Sequence, residues 1–92
     1  MQTSYLVCYD IADEGRLTRV YRYLKRVGVP MQYSVFLCSW TWSQYQEALA
    51  YLARLIDARA DDVRIYPLPS GHSIASIGSG DRIPEGATVV LP

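Results

Sequence analysis

The sequence predicts a small α+β domain in which two helices cover one face of a β-sheet. Strand-like and helix-like segments alternate along its 92 residues, and both helix-like segments are amphipathic. Hydrophobic residues make up 50% of the chain and charged residues 20%, which is typical of a globular protein and argues against disorder. This length allows one modest hydrophobic core.

The first strand and the first helix are predicted from the N-terminal third of the chain. Ser4–Ile11 is apolar, rich in aromatic and β-branched residues and too short for a helix, so we predict a central strand. Asp13 is placed to cap the helix that follows, with Glu14 in its first turn, and Gly28 ends that helix. The apolar residues that indicate its buried face recur at steps of three and four: Leu17, Val20, Tyr21, Leu24 and Val27.

The middle of the chain returns to strand character over residues 29–40. Two interpretations fit this segment, namely one long bent strand or a short hairpin that pivots near Tyr33 and Ser34. Pro30 indicates that the segment begins at an exposed position or at a sheet edge, because proline cannot donate a hydrogen bond to a neighbouring strand.

A second helix and a last core strand follow. Ser43 and Gln46 have the spacing of a capping box, and the helix is predicted to end near Ala58. Its buried face is predicted to carry Tyr45, Ala48, Leu49, Leu52, Leu55 and Ile56. The next strand is predicted over Val63–Leu68, where prolines stop it.

This order of elements is typical of a ferredoxin-like βαββαβ sandwich. Residues 1–69 would form the core, and residues 70–92 a Gly-, Ser- and Pro-rich tail that includes short β-capable pieces. One sheet face then has no helix over it, although the chain contains eight Tyr, two Trp and one Phe. We therefore expect a homodimer packed sheet to sheet, or a tail strand that packs on the partner protomer.

Composition excludes several classes of protein. No apolar stretch reaches the roughly 18 residues of a membrane span, and the N-terminus lacks the pattern of a signal peptide. Cys8 and Cys38 lie in apolar runs and are expected to be buried thiols in a reducing cytosol. His72, the one histidine of the chain, cannot complete a structural zinc site with them.

Basic residues are concentrated in the first helix although the net charge of the chain is zero. Five of the nine fall within residues 16–26: Arg16, Arg19, Arg22, Lys25 and Arg26. No carboxylate interrupts this stretch, so neighbours on the same helix do not neutralise these charges. Two interpretations remain open, a solvated helix face and a surface that binds the phosphates of a nucleic acid.

Asp10 follows the apolar part of the first strand, where a sheet meets solvent and sites are often built. One interpretation is a carboxylate that accepts hydrogen bonds from the local backbone. The other is a ligand of Mg²⁺, which prefers oxygen donors and keeps most of its waters. A twofold dimer would supply a second Asp10 by symmetry.

In these residues the chain resembles the small CRISPR-associated protein two family, the partner of the CRISPR spacer-acquisition integrase. The resemblance extends over nearly the whole length and rests on five fragments in order. They are "YDI" at 9–11, "RLTRVYRYLKRVG" at 16–28, "QYSVF" at 32–36, "VRIYPL" at 63–68 and "SIGSG" at 76–80.

The resemblance implies a ferredoxin-like homodimer in the cytoplasm of a prokaryote, with a role in adaptive immunity. It implies that the dimer bridges two dimers of the integrase, the CRISPR-associated protein one family, and holds duplex DNA on its basic surface. Members are described as Mg²⁺-dependent endonucleases of single-stranded RNA or double-stranded DNA, with Mn²⁺ as an alternative ion. The resemblance implies no membrane partner.

Site residues are implied by the same resemblance. Asp10 of both protomers would hold the metal and act in catalysis, and Tyr9, Ser34 and Phe36 would support the site. The family's basic positions correspond to Arg16 and Arg19, and Arg22 and Arg26 extend this nucleic-acid-binding face. Two functions of different class remain, a metal-dependent endonuclease and a non-catalytic DNA-binding adaptor. A toxin-like ribonuclease is a weaker third.

Overall fold

Four strands and two helices form two layers in the computed structural model, which describes residues 1–71. The elements are β1 (Thr3–Asp10), α1 (Glu14–Val27), β2 (Gly28–Gln32), β3 (Val35–Trp40), α2 (Trp42–Leu55) and β4 (Asp62–Pro67). The sheet has the order β2-β3-β1-β4, and every neighbouring pair is antiparallel. The predicted α+β class and the central position of β1 are confirmed. The predicted tail strand lies beyond residue 71, outside the described residues.

Residues 29–40 form a hairpin rather than one bent strand. The turn is made by Tyr33 and Ser34, and Ser34 has a φ of 65°, in the left-handed region that L-residues seldom adopt. The backbone N–H of Tyr9 donates to the carbonyl of Ser34 at 3.0 Å, so the turn is tied to the end of β1. β2 lies at the sheet edge, as Pro30 predicted.

Both helices begin with a capping residue, but the second one begins earlier than predicted. Asp13 caps α1 as expected, because its carboxylate accepts from the backbone N–H of Arg16 at 2.9 Å. The predicted capping box of Ser43 and Gln46 is wrong. Thr41 and Gln44 form it instead, with hydrogen bonds of 3.2 and 2.8 Å between each side chain and the other residue's backbone N–H. The same spacing occurs twice in the sequence, and the end of β3 at Trp40 decides between the two.

The core lies between the sheet and the helices. Its largest fully buried side chains are Val7, Val20, Leu24, Phe36 and Cys38. The predicted apolar faces are confirmed except at their margins, since Leu17 is 36% exposed and Leu49 41% exposed. The second helix ends at Leu55, not near Ala58. No helix within residues 1–71 is long and apolar enough to cross a membrane.

Gly28 ends α1 as predicted, but the reason for glycine is not a left-handed backbone at the helix end. Its backbone is extended, with a φ of −152°. A Cβ at this position would lie 2.5 Å from Sγ of Cys38 and 2.9 Å from the carbonyl oxygen of Leu37. Glycine therefore allows β2 to start immediately after the helix and to approach β3 closely.

The sheet face opposite the helices carries a band of apolar side chains. Leu6 of β1 pairs with Leu37 of β3, and Val29 of β2 lies beyond Leu37 in the same register. Val29 is 42% exposed, and Tyr66 of β4, opposite Leu6, is 46% exposed. No helix within the described part of the chain covers this face.

Candidate functional site

Asp10 has a carboxylate neighbour that the sequence did not reveal. In the antiparallel pairing of β1 and β4, Asp10 lies directly opposite Asp62, and both residues are exposed. Opposed residues project their side chains from the same face of a sheet. Tyr9, next in the strand, is buried toward the helices, so Asp10 and Asp62 lie on the open face. The letters "DDVRIYPL" contain Asp62, but its register against β1 cannot be read from them.

The carboxylate of Asp10 makes no contribution to local structure within residues 1–71. None of the hydrogen bonds found within residues 1–71 involves it. The interpretation of Asp10 as a group that accepts from the local backbone is therefore not supported in this part of the chain. Asp62 differs, because it accepts a hydrogen bond from Nε of Arg64 at 3.0 Å.

Asp61 is the buried charged residue beside this site, and sequence reasoning missed it. Its side chain is 0% exposed and links three segments of the chain. It accepts from the backbone N–H groups of Ala12 and Asp57 at 2.9 and 2.8 Å, and from Nε and Nη2 of Arg16 at 2.7 and 3.2 Å. Asp61 therefore holds the loop that follows Asp10 against the loop that precedes Asp62.

This hydrogen bonding perturbs Asp61 and engages Arg16. The Arg16 guanidinium and the two backbone N–H groups hold the pKa of the Asp61 carboxyl well below its usual range, against the opposing effect of burial. The pKa of Arg16 is raised, chiefly by the same hydrogen bond. Arg16 was predicted to bind nucleic acid, but the structure places its guanidinium in an ion pair with the buried Asp61, with 25% of the Arg16 side chain exposed.

The other predicted arginines come together on the helical layer. Arg19, Arg22 and Arg26 line one shallow depression of about 330 Å³, which also contains Tyr23 and Tyr51. The rings of Tyr23 and Tyr51 lie 4.5 Å apart, centroid to centroid.

Arg54 of α2 extends this surface, and sequence reasoning missed it. Its guanidinium carbon lies 5.6 Å from the Tyr51 ring centroid, and that of Arg26 lies 5.9 Å from the Tyr23 ring. A basic residue in the last turn of α2 was the available signal, but only the packing of α2 beside α1 joins it to the others. The arginine cluster consists of Arg19, Arg22, Arg26 and Arg54.

The charges of the arginine cluster are not neutralised within the described residues. The ion pairs found there are Arg16–Asp61, Arg59–Asp57 and Arg64–Asp62. None of them includes a member of the cluster. A surface of four cations with two tyrosine rings between them has the charge and the stacking groups that bind nucleic-acid phosphates and bases.

Tyr9, Ser34 and Phe36 lie together, but on the helix side of the sheet or at the turn. Phe36 is 1% exposed and its ring centroid lies 6.2 Å from that of Tyr9. Burial, with a smaller contribution from Tyr21, raises the pKa of Tyr9 to about 12, so this phenol stays protonated at neutral pH. These residues pack beneath the strand end, whereas Asp10 lies on the opposite face.

The donor set at the strand ends fits Mg²⁺ better than it fits a softer ion. Asp10 and Asp62 offer hard carboxylate oxygens, and Mg²⁺ needs only one or two of these when waters complete its shell. No group of three or more His, Cys, Asp or Glu residues within residues 1–71 has the geometry of a closed metal site. Both thiols are unsuited to the role, since burial raises the pKa of Cys8 and raises that of Cys38 to about 12.

Comparison with known proteins identifies the family. Residues 3–73 match the model of the family described as CRISPR associated protein Cas2. The chain belongs to the Cas2 family. The resemblance predicted from the sequence is thereby confirmed, and the matched residues include Asp10, Asp61, Asp62 and the arginine cluster.

Individual Cas2 proteins are similar over most of the chain. A Thermodesulfovibrio yellowstonii protein named CRISPR-associated endoribonuclease Cas2 2 is 55% identical over 97% of this chain and 98% of its own length. A Nitrosomonas europaea protein named CRISPR-associated endoribonuclease Cas2 1 is 44% identical over 91% of this chain and 79% of its own.

Solved structures share the fold. Streptococcus pyogenes Cas2, crystallised at pH 6.5, superposes with a TM-score of 0.69 at 32% identity, covering 74% of this chain and 88% of its own. A Thermus thermophilus protein described as hypothetical protein TT1823 gives a TM-score of 0.77 at 30% identity, covering 86% and 96% of the two chains.

Proposed function

We propose that this protein is a CRISPR-adaptation endonuclease that hydrolyses phosphodiester bonds in single-stranded RNA or double-stranded DNA with the help of Mg²⁺. The observation that carries the proposal is the exposed pair of Asp10 and Asp62 at the end of the sheet, in a family whose similar members are named endoribonucleases. A Thermus thermophilus relative, 32% identical, is named an endonuclease, which leaves the nucleic acid open.

Asp10 and Asp62 are the residues that would hold the ion, and Asp10 of the partner protomer would join them across a twofold axis. When bound, Mg²⁺ polarises the scissile phosphate and lowers the pKa of a bound water, and Mn²⁺ accepts the same oxygen ligands. The chain's own residues hold the site together and bind the nucleic acid. Asp61 holds the loops that flank the two aspartates, and the arginine cluster neutralises and positions the phosphate backbone.

The proposed assembly is a ferredoxin-like homodimer packed through the open sheet face. The strand order β2-β3-β1-β4 with two helices on one face supports the topology. The apolar band of Leu6, Val29 and Leu37 supports the interface, because no helix within residues 1–71 covers it. The tail, residues 70–92, would add a strand to the partner protomer, and the dimer would bridge the integrase and bind DNA in a prokaryotic cytoplasm.

A nuclease assay tests the catalytic role of Asp10. We expect Asp10→Ala to abolish Mg²⁺-dependent cleavage of RNA and duplex DNA. Each protomer should stay folded, because Asp10 makes no hydrogen bond within residues 1–71, and the dimer should persist, because the apolar band of Leu6, Val29 and Leu37 is retained. Glu47→Ala, which removes an exposed carboxylate of α2 beside the arginine cluster and away from the strand ends, is the control and should still cleave with Mg²⁺. Cleavage that survives in purified Asp10→Ala would refute the role.

A non-catalytic DNA-binding adaptor is the second candidate. It is favoured by the arginine cluster, which has no carboxylate partner within residues 1–71, and by the ion pair that Asp62 already makes with Arg64. If the protein is an adaptor, cells that carry Asp10→Ala should acquire spacers at the wild-type frequency, whereas cells in which arginines of the cluster are replaced should acquire fewer. A nuclease whose activity is needed predicts loss of acquisition in Asp10→Ala.

A further inference from the structure

A groove of about 650 Å³ lies between α1 and the turn that joins β2 to β3. Tyr21, Arg22 and Lys25 of α1 line one wall, and Gln32, Tyr33 and Ser34 line the other. Its volume falls within the range of about 300–1,000 Å³ that is typical of small-molecule sites. The groove lies on the helix side, apart from the open face that carries Asp10 and Asp62.

The walls combine aromatic rings with cations. Tyr33 is 70% exposed although its ring is large and apolar, and the ammonium of Lys25 lies 5.8 Å from the centroid of the Tyr21 ring. No ion pair within residues 1–71 includes Arg22 or Lys25. Gln32 adds an amide that both donates and accepts hydrogen bonds. A ligand that fits this set is planar and unsaturated, carries a negative charge and has polar edges.

The groove also continues the arginine cluster. Arg22 lines the groove and also the shallow depression shared with Arg19 and Arg26. A phosphate backbone that follows the cluster therefore reaches the mouth of the groove at Arg22. A duplex keeps its bases stacked inside the helix and offers none to such a groove, whereas an unpaired strand offers bases that stack on exposed aromatic rings.

We propose that this groove binds one unpaired nucleotide of a single-stranded nucleic acid. The base stacks on Tyr33 with its polar edge toward Gln32, and the adjoining phosphate lies between Arg22 and Lys25. This inference rests on the proposed nucleic-acid function and adds a substrate preference to it. The groove favours a single strand, or the unpaired end of a duplex, over a blunt duplex.

Binding assays with the full-length protein test the groove. Fluorescence anisotropy in EDTA, which prevents cleavage, is measured with an oligouridylate strand and with a blunt duplex of equal length. We expect Tyr33→Ala to weaken single-strand binding roughly 5- to 150-fold, the range found when one base loses its aromatic partner, and to leave duplex binding unchanged. Tyr33→Phe keeps the ring and should bind the single strand as wild type does. Trp42→Ala, which removes another exposed aromatic (66%), is the matched control and should bind normally.

The outcomes separate this inference from the function it rests on. If Tyr33→Ala binds both nucleic acids as wild type does, or if it loses affinity for both equally, no base occupies the groove and the inference is overturned. The first of these results would also be seen if another part of the chain filled the groove. Replacement of Arg19 and Arg26 should weaken both forms. If that double variant binds both forms normally, or if wild type binds neither, the nucleic-acid function itself fails and the inference fails with it.

Discussion

Replacing Arg19 and Arg26 with glutamine should reduce the salt dependence of DNA binding, whereas replacing Arg16 should reduce stability instead. In the sequence, Arg16 is one of five basic residues of α1 and looks equivalent to Arg19 and Arg26. In the structure Arg16 is paired with the buried Asp61, while Arg19 and Arg26 have no carboxylate partner within residues 1–71. The three arginines are therefore expected to act on different properties.

The magnitude follows from counterion release. Each phosphate that a cation neutralises on B-DNA contributes about 0.9 to the slope of log K against log salt, so loss of two contacts lowers the slope by about 1.8. Between 50 and 200 mM salt, a slope smaller by about 1.8 means that the variant loses about 12-fold less affinity than wild type does. If both protomers contact one duplex, the change in slope is about twice as large.

The assay is duplex binding by fluorescence anisotropy over a series of salt concentrations, with thermal denaturation of each variant in parallel. Arg19→Gln/Arg26→Gln should melt as wild type does but show the lower slope. Arg16→Gln should keep the wild-type slope and melt at a lower temperature, because it leaves the buried Asp61 carboxylate without its cation. Equal slopes for wild type and the double variant would refute the reasoning, and so would a slope for Arg16→Gln as low as that of the double variant.

Two further predictions concern stability. Asp61→Asn should lower the melting temperature most at neutral pH. The pKa of Asp61 is depressed in the folded state, so its stabilising effect is present above the unfolded pKa near 3.9 and is lost as the pH falls through the folded value. The difference in melting temperature between Asp61→Asn and wild type should therefore shrink below about pH 4. A difference that grows in acid would contradict this. Gly28→Ala should lower the free energy of unfolding, measured in urea, by about 1–3 kcal/mol, because the new Cβ meets Sγ of Cys38 at 2.5 Å. The loss should be smaller in a Cys38→Ala background. Equal losses in both backgrounds would show that this contact is not the cause.

Local patterns predicted the elements well because their causes are local. The apolar alternation of β1 and the three-four periodicity of α1 depend on which side chains face one core, and Asp13 caps a helix that begins at the next residue. The start of α2 shows where a local rule becomes ambiguous. Thr41 and Ser43 each precede a glutamine by three residues, and the pairing of Trp40 with Thr3 decides which of them ends the strand and caps the helix.

By itself, the sequence determined the α+β class, the order of the elements on either side of residues 29–40, the family and the position of Asp10 at a strand end, because each rests on neighbouring residues. Only the tertiary structure decided what surrounds that residue. Asp62 lies opposite Asp10 through the register of two strands that are distant in the chain, and Asp61 bonds to Ala12 and Arg16 across separations of 49 and 45 residues. Such contacts depend on how the sheet and loops assemble, so charges that look equivalent in sequence, such as Arg16 and Arg19, acquire different roles when the chain folds.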